Sequence, residues 1–512
     1  MGATLSKPAT STTIRGPAAS PPAGATQDSS QETAFNEKRS HIDGVHPCAG
    51  PSSKPMSANG SLTLDNMSAW ESTASGPVHT LARTMLPNSP ITSLQRRQVL
   101  IDDIHVYNTD IQFKTSPIAN QRSTGRCWLF ASTNVLRYNV MKRAGLSEFQ
   151  LSQPYLFFYD KLNKANYYLE LMMENSDLPL NSRLISHLSS SAALLADGGQ
   201  WDMAVNLFEN YGCVPHVVYT ETVHSVNSAP LNNLLQKKVR EHGMVLRKLS
   251  RQLRAQNIAE DEQLTTLRSK KEALMAETYR MMTAMLGVPP RPDTSFDWNY
   301  YDKDNKAHKW SGTPLEFYAT FVGKQPSESF SMIHDPRNPF SKVYTVDKLG
   351  NIWGGRPITY VNTEMENLKM TVVKMLQAGQ PVFFGCDIFQ QEDKTLGVLD
   401  VDLFDYDTPF GISLNLTKAE RVEIGESSMT HAMVITGVHL DDNGRPLKYR
   451  LENAWGENIG FKGWFCMTDS WFEQYAFQIV VPKSFAPKEL VKLLDEEERI
   501  VLPAWDPMGA LA

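Results

Sequence analysis

Residues 121–144 read QRSTGRCWLFASTNVLRYNVMKRA, and one cysteine, Cys127, opens the apolar part of this run. Large apolar residues then recur at spacings typical of a helix, which predicts a buried, largely amphipathic helix over 127–144. Cys127 falls in the first turn of this helix. A thiolate is the reactive form of cysteine, and it is favoured at a helix N-terminus beside a protonated imidazole. The stretch therefore makes Cys127 a candidate nucleophile.

Two further stretches supply candidate partners for this thiol. His431 begins HAMVITGV, an apolar run typical of a strand, so its ring projects from a rigid element. Asn453 lies in LENAWG, where its amide oxygen can accept the imidazole N–H and fix the tautomer, while Trp455 covers that bond. Gln121 can reach back so that its amide and the Cys127 backbone N–H point at one oxygen. These residues together predict amide hydrolysis by a cysteine nucleophile.

Each of these residues has a simpler interpretation when taken alone. A cysteine before tryptophan is usually a core residue, a histidine before an apolar strand is usually structural, and an asparagine near glycine usually forms a turn. The order of the four elements along the chain, each in suitable local structure, favours the catalytic interpretation. The glycine pair at Gly198 and Gly199 remains open between a turn and a substrate-binding backbone.

The distribution of residue types predicts how the chain is organised. Residues 1–75 are rich in Ser, Thr, Ala, Pro and Gly, so they are expected to be a disordered tail. A helical lobe with the nucleophile is expected over 76–230, an inserted helical hairpin over 231–290, and the remainder of the helical lobe over 291–340. A β-rich lobe with the histidine and asparagine follows over 341–485, and a C-terminal helix and tail over 486–512. The fold class is therefore α+β.

The predicted hairpin carries a basic stripe opposite its leucine face. Its cations are Lys237, Lys238, Arg240, Arg247, Lys248, Arg251 and Arg254. Such a stripe is either a solvated face or the surface of an arm that contacts another subunit or an acidic partner. The second interpretation leads to an alternative function, a nucleic-acid-binding or regulatory assembly in which peptidase activity is secondary. A salt titration separates the two, because binding through phosphates falls steeply with salt.

Composition excludes several other classes of protein. The net charge is −6, which argues against a surface built as a whole to hold nucleic acid. The five cysteines are scattered, which argues against a disulfide framework or a zinc ribbon and favours a reduced, intracellular protein. There is no HExxH, P-loop or GxGxxG string, so we expect no metal and no cofactor. The sequence shows no apolar stretch near its start and no run of about 18 apolar residues, so we expect neither a secretory signal nor a transmembrane segment.

The start of the chain, MGATLS, fits the loose pattern for N-myristoylation of Gly2. The alternative is a chance match in a serine-rich tail. A single acyl chain would bind membranes only weakly and reversibly.

Several of these stretches resemble the papain-like cysteine peptidases, and among them the bleomycin hydrolases. The matching strings are NQRSTGRCWLFASTN, LSQPYLFFYDKLNKAN, DGGQWDM, THAMVITGV, ENAWG and VLPAWDPMGALA. They run from about residue 100 to the end of the chain. Cys127 and His431 lie about 300 positions apart, whereas papain-like enzymes usually show roughly 130–150. The hairpin at 231–285 accounts for part of the excess, and such an arm also belongs to the bleomycin hydrolase pattern.

The resemblance implies a papain-like two-lobed fold, with a helical lobe, a β-barrel-like lobe and an inserted helical arm. It assigns Cys127 as nucleophile, His431 as base, Asn453 as the orienting residue and Gln121 as oxyanion donor. It also assigns Gly198 and Gly199 to the substrate cleft and brings the tail into that cleft, where the carboxylate of Ala512 holds the free amine of the substrate. Trp455 is a further candidate substrate contact.

The activity implied is a cysteine aminopeptidase that also hydrolyses the bleomycin carboxamide and homocysteine thiolactone. The resemblance further implies a homohexamer in the cytoplasm, with a mitochondrial pool as a second location, and some relatives bind DNA. A transferase with the same Cys-His-Asn site would differ only in the acceptor of the acyl group.

Overall fold

A computed structural model of the protein describes residues 60–96, 105–111, 113, 115–496 and 498–510. It divides the chain into two compact units, Met1–Ala74 and Ser75–Ala512. Gly2 and Ala512, for which the sequence predicted acylation and amine binding, lie outside the described residues. Across the described ranges, no helix is both long enough and apolar enough to cross a membrane.

The first unit contains one described helix, α1 (Leu64–Thr73). The hydroxyl of Thr63 accepts a hydrogen bond from the backbone N–H of Asn66 at 3.1 Å, which caps the helix. This helix lies inside the stretch 1–75, which the composition predicted to be a disordered tail. Its cap stabilises the first turn locally, although the helix contains no buried residue.

The second unit contains fourteen α-helices in its described residues. They are α2 (Pro77–Met85), α3 (Cys127–Ala144), α4 (Gln153–Glu174), α5 (Arg183–Leu188), α6 (Trp201–Tyr211), α7 (Val223–Val226), α8 (Ala229–Ala255), α9 (Glu260–Leu286), α10 (Pro314–Phe317), α11 (Met365–Gln377), α12 (Asp407–Phe410), α13 (Lys418–Glu423), α14 (Asp469–Tyr475) and α15 (Lys488–Glu496).

Helix α3 has the predicted bounds but a different environment. Almost all of its side chains are buried, including the polar residues Asn134 and Arg137, so it is enclosed on all sides rather than amphipathic. Helix α4 begins as predicted after Ser152, whose hydroxyl accepts from the N–H of Tyr155 at 3.2 Å. These two helices form the centre of the helical half.

Helices α8 and α9 form the predicted arm, and the leucine face of α8 is buried. The basic stripe is not uniformly solvated. Arg247 is 1% exposed and donates to the carbonyl of Asn175 at 2.7 Å, while Arg240 donates to the carbonyl of Ser189 at 2.9 Å. The prediction that Arg247 belongs to an exposed face is therefore wrong, because its guanidinium satisfies carbonyl groups at the end of α4.

The strands are β1 (Thr109–Asp110), β2 (Phe296–Tyr301), β3 (Ala307–Gly312), β4 (Ser329–Ile333), β5 (Lys342–Val346), β6 (Tyr360–Asn362), β7 (Val382–Cys386), β8 (Glu392–Asp393), β9 (Val398–Leu399), β10 (His431–Leu440), β11 (Pro446–Glu452), β12 (Trp464–Thr468), β13 (Ala476–Pro482) and β14 (Ile500–Leu502). Strands β2 and β3 form a separate hairpin. The others form one twelve-stranded sheet in the order β14-β5-β6-β4-β13-β7-β10-β11-β12-β9-β8, with β1 paired to β10.

The β structure begins earlier in the chain than predicted. Residues 291–340 were assigned to the helical lobe, but they contain the β2–β3 hairpin and strand β4, which pairs with β13 and β6 inside the large sheet. All five side chains of β4 are buried. Its sequence, SFSMI, alternates polar and apolar residues from Ser329 to Met332, a strand pattern that the assignment of 291–340 to the helical lobe left out of account.

The large sheet separates two hydrophobic cores. Along β10, Ala432 and Val434 enter the core that contains α3 and α4, whereas Met433 and Ile435 enter the core that contains α11. This alternation is the geometry of a strand buried on both faces. It holds the start of β10, and therefore His431, firmly against the helical half.

Candidate active site

Cys127 is the first residue of α3, and the loop before it is held by a carboxylate. The backbone N–H of Gly125 donates to Asp197 at 3.2 Å. Cys127 is 2% exposed. The first N–H groups of a helix have no partner within the helix, so the thiol lies among available backbone donors.

His431 is the first residue of β10, and Asn453 directly follows β11, the antiparallel neighbour of β10. The imidazole Nε2 is 2.9 Å from Oδ1 of Asn453, and the same oxygen accepts from the N–H of Ala454 at 2.7 Å. Because this oxygen can only accept, Nε2 must carry the proton, which leaves Nδ1 as the basic nitrogen. The ring of Trp455 covers the imidazole, with 4.9 Å between ring centres.

The structure brings the thiol and the imidazole together. Cys127 and His431 line one cavity of about 420 Å³, together with Gln121, Gly198 and Trp455. The backbone N–H of Ala432, the residue after the histidine, also acts on the thiol, because it lowers the thiol's pKa. Two residues far apart in sequence, one from each half of the chain, therefore meet at one cleft.

Burial has the largest effect on the pKa values of Cys127 and His431. It raises the pKa of the Cys127 thiol to about 11, although hydrogen bonds from the N–H groups of Ala432, Trp128 and Cys127 itself lower that pKa. Burial also lowers the pKa of His431 to about 4, against a raising effect of the bond to Asn453. The helix terminus acts in the predicted direction, but desolvation is larger, so the free site favours the uncharged thiol and imidazole.

Gln121 lies in a loop that is tied to the asparagine loop. Its backbone N–H donates to the carbonyl of Ala454 at 2.8 Å, and the N–H of Gly456 donates to the carbonyl of Ala119 at 3.0 Å. The side-chain Nε2 donates to the carbonyl of Thr124 at 2.8 Å, which uses one of its two hydrogens. The second hydrogen is available for an oxygen in the cavity.

The two glycines of the DGGQW stretch have different surroundings. Gly198 lines the catalytic cavity, and its carbonyl accepts from Nζ of Lys164 at 2.7 Å. At Gly199, a Cβ atom would lie 2.5 Å from the indole of Trp128, so this position requires glycine for close packing.

Asp197 was not singled out by the sequence analysis, yet it connects three parts of the site. Its carboxylate accepts from Gly125, from Nζ of Lys161 at 2.7 Å, and from Ser228 and Asn232 at the base of the arm. Lys161 and these hydrogen bonds hold the pKa of the Asp197 carboxyl below its usual range. Only its position before the glycine pair could have drawn attention to it, since its partners are distant in sequence.

A second cavity of about 660 Å³ adjoins the first. Ala192, Ala196, Gly198 and Thr430 line both cavities. Its far wall is the C-terminal segment from Ala504 to Ala510. The carbonyl of Ala510 accepts from Nε2 of Gln200 at 2.6 Å, which fixes this segment next to the glycine pair.

Salt bridges and backbone contacts anchor the C-terminal segment along its length. Strand β14 pairs with β5, Asp506 accepts from Arg337 at 3.0 Å, and the carbonyl of Met508 accepts from the Tyr360 hydroxyl at 3.2 Å. Among the residues that the structure describes, no group of three or more metal-binding side chains is arranged to hold an ion.

Comparison with known proteins places this site in a family. The model of the Peptidase C1-like family matches residues 61–509. The chain is 42% identical over 460 residues to cysteine proteinase 1, mitochondrial, of Saccharomyces cerevisiae, and the match covers 88% of this chain and 93% of the yeast protein. Mouse bleomycin hydrolase is 37% identical, with 89% and 99% covered, and aminopeptidase C of Streptococcus thermophilus is 37% identical, with 83% and 93% covered.

A solved structure confirms the predicted fold. The crystal structure of PepW from Lactobacillus rhamnosis matches with a TM-score of 0.83 at 36% identity, over 89% of this chain and all of that one. The α+β, papain-like fold and the resemblance to bleomycin hydrolases are thus confirmed. The chain belongs to the Peptidase C1-like family, as a cysteine peptidase of the group that includes aminopeptidase C and bleomycin hydrolase.

Proposed function

We propose that this cysteine peptidase is an aminopeptidase that removes residues one at a time from the free amino terminus of a peptide. The observation that carries this proposal is the C-terminal segment, which closes the cavity next to the catalytic one. A bound peptide cannot extend far from the nucleophile into this adjoining cavity, because the segment from Ala504 to Ala510 forms its wall. Substrates must therefore begin near the scissile bond.

The chemistry of the chain terminus supports the same proposal. Ala510 is held beside Gly198 and Gly199 by Gln200, and two further residues complete the chain. We infer that the carboxylate of Ala512 faces the amine of a bound substrate and pairs with its positive charge. An anion at this place favours a substrate with a free amine over one with a blocked amine. It also disfavours cleavage at internal bonds of a longer peptide.

The reaction that we propose runs through a thioester. As the substrate carbonyl approaches, the thiol proton of Cys127 passes to Nδ1 of His431 and the sulfur attacks the carbonyl carbon. The oxyanion accepts from the Cys127 backbone N–H and from the second amide hydrogen of Gln121. The imidazolium then gives its proton to the leaving amine as the C–N bond breaks. Water, deprotonated by His431, hydrolyses the thioester and returns the thiol.

Deleting residues 509–512 tests the role of the tail. We expect the variant to lose its preference for free over blocked amines and to gain cleavage at internal peptide bonds, because the terminal charge is gone and the steric block is shortened by Gly509 and Ala510. Mass spectrometry of the products of a long peptide, with and without N-terminal acetylation, measures both effects. Unchanged amino-terminal trimming with no internal cleavage would contradict the proposal.

A pH profile tests the role of His431. The base must be neutral, and its pKa is lowered to about 4, so we expect kcat to be constant at neutral pH and to fall only as the pH approaches 4. The profile should be read from kcat, since the terminal carboxylate has an ordinary pKa of about 3.3–3.7 and affects amine binding.

In Asn453→Ala the hydrogen bond that raises the histidine pKa is lost, so the acid limb should move to lower pH. The rate at pH 7 should fall by about 10²-fold, because the productive tautomer is no longer held. A wild-type acid limb at pH 6.5 or above would contradict this assignment.

The same acyl-transfer site is proposed to accept the bleomycin carboxamide and homocysteine thiolactone, since an amide and a thioester both present a carbonyl to the thiol. A homohexamer in the cytoplasm is proposed from the family resemblance, and a mitochondrial pool from the yeast relative, whose name carries that location.

A further inference from the structure

Lys394 lies beside the catalytic cavity on two aromatic rings. Its Nζ is 4.9 Å from the ring centre of Phe389 and 5.4 Å from that of Trp455. Both rings line the cavity of Cys127, and the Trp455 ring covers His431. Such contacts hold an ammonium group in place without neutralising it.

These aromatic residues lie on one side of the nucleophile. Phe389 and Trp455 line the catalytic cavity but not the cavity closed by the C-terminal segment, whereas Gly198 and Thr430 line both. If the substrate amine points to the C-terminal segment, as the proposed function requires, the leaving part of the peptide extends over Phe389 and Trp455. Lys394 then stands beside the leaving group.

The charge of Lys394 is exposed and only partly balanced. Its side chain is 49% exposed, and Nζ is 3.3 Å from the carboxylate of Glu392, which is 13% exposed. Burial raises the pKa of Glu392. The neighbouring carboxylate of Asp393 binds other donors instead of Lys394. It accepts hydrogen bonds from the side chain of Gln95 at 2.8 Å and from the backbone N–H of Thr395 at 2.8 Å.

We propose that Lys394 binds a carboxylate on the leaving part of the substrate and thereby selects peptides that carry one there. This inference rests on the proposed aminopeptidase function and deepens it. The carboxylate has two sources, the free terminus of a very short peptide or the side chain of an acidic second residue. The enzyme would thus hold short peptides at both ends, by a terminal anion for the amine and by a lysine for the acid.

Paired substrates separate these sources. One pair is Leu-Gly with a free or an amidated terminus, and the other is Leu-Glu-amide with Leu-Gln-amide. We expect kcat/KM of the wild type to favour the charged member of at least one pair by about five-fold at low salt and less at high salt, as for an exposed ion pair. The pair that shows the preference identifies the source.

Lys394→Met should abolish this preference, because methionine keeps the apolar stem without the charge. Lys394→Arg should keep it, and Glu392→Gln should enlarge it by removing the competing carboxylate. An equal charged-to-neutral ratio in wild type and Lys394→Met would overturn the proposal. The neutral substrate distinguishes failure of this proposal from failure of the aminopeptidase proposal. If Lys394→Met still removes leucine from Leu-Gln-amide, the aminopeptidase function stands.

Discussion

Replacing Cys127 with alanine is expected to lower kcat/KM on an aminoacyl amide by at least about 10⁵-fold, since the covalent path disappears with the sulfur. The oxyanion donors at Gln121 and the helix N-terminus stay in place, so a small rate above that of water should survive. His431→Ala should lose about as much, because thiol and imidazole act as one unit. The double variant should be hardly worse than either single variant.

The matched control is Cys213→Ala. Cys213 is another fully buried cysteine of the helical half, and it does not line the catalytic cavity. This variant should keep nearly all activity, with a modest loss of stability from the small cavity. Each protein should be assayed on the amide with a free and with an acetylated amine. Near-normal turnover by Cys127→Ala, or complete loss in Cys213→Ala, would remove the assignment of the nucleophile.

The second large effect is expected at an ion pair buried between the two halves. Arg137 on α3 donates to Glu452 at the end of β11, and both side chains are almost completely buried. Thr115 donates to the same carboxylate at 2.9 Å, and Arg137 also donates to the carbonyl of Pro117 at 2.8 Å. Glu452 directly precedes Asn453 in sequence. The pair thus links α3, which carries the proposed nucleophile, to the loop of the residue that we propose orients the base.

Arg137→Met leaves the carboxylate of Glu452 buried without its partner, so we expect a loss of about 3–5 kcal/mol in the free energy of unfolding. Glu452→Met should cost a similar amount. The double variant should recover much of the loss, because an apolar pair of similar volume avoids both desolvation penalties. Urea unfolding at one protein concentration measures all three. Single variants within about 0.5 kcal/mol of wild type, the range of ordinary surface changes, would show that the pair contributes little.

Local patterns in the sequence predicted much of this molecule. The bounds of α3, the cap of α4 and the arm hairpin follow from spacing, capping and breaker residues that act within a few positions. The strand that begins with His431 follows from a run of β-forming residues. Strand β4 was not predicted although SFSM alternates polar and apolar residues, because so short a run is a weak signal on its own.

The tertiary features could not be predicted in the same way. Asp197 meets Gly125, Lys161 and the base of the arm only after folding. Burial reverses the effect that the helix terminus alone would have on the Cys127 thiol, and no local pattern gives the depth of a residue. Lys394 looks like any surface lysine until its two aromatic neighbours are known.

Backbone hydrogen bonds join residues 119–121 to residues 454–456 and so connect the two halves of the molecule beside the catalytic cavity. Separating the two halves would break these bonds together with the Arg137–Glu452 pair. We therefore expect the groove to keep its width when a peptide binds. We therefore expect a peptide to enter a preformed channel, in which the two proposed charge contacts select substrates by fit rather than through a closing motion.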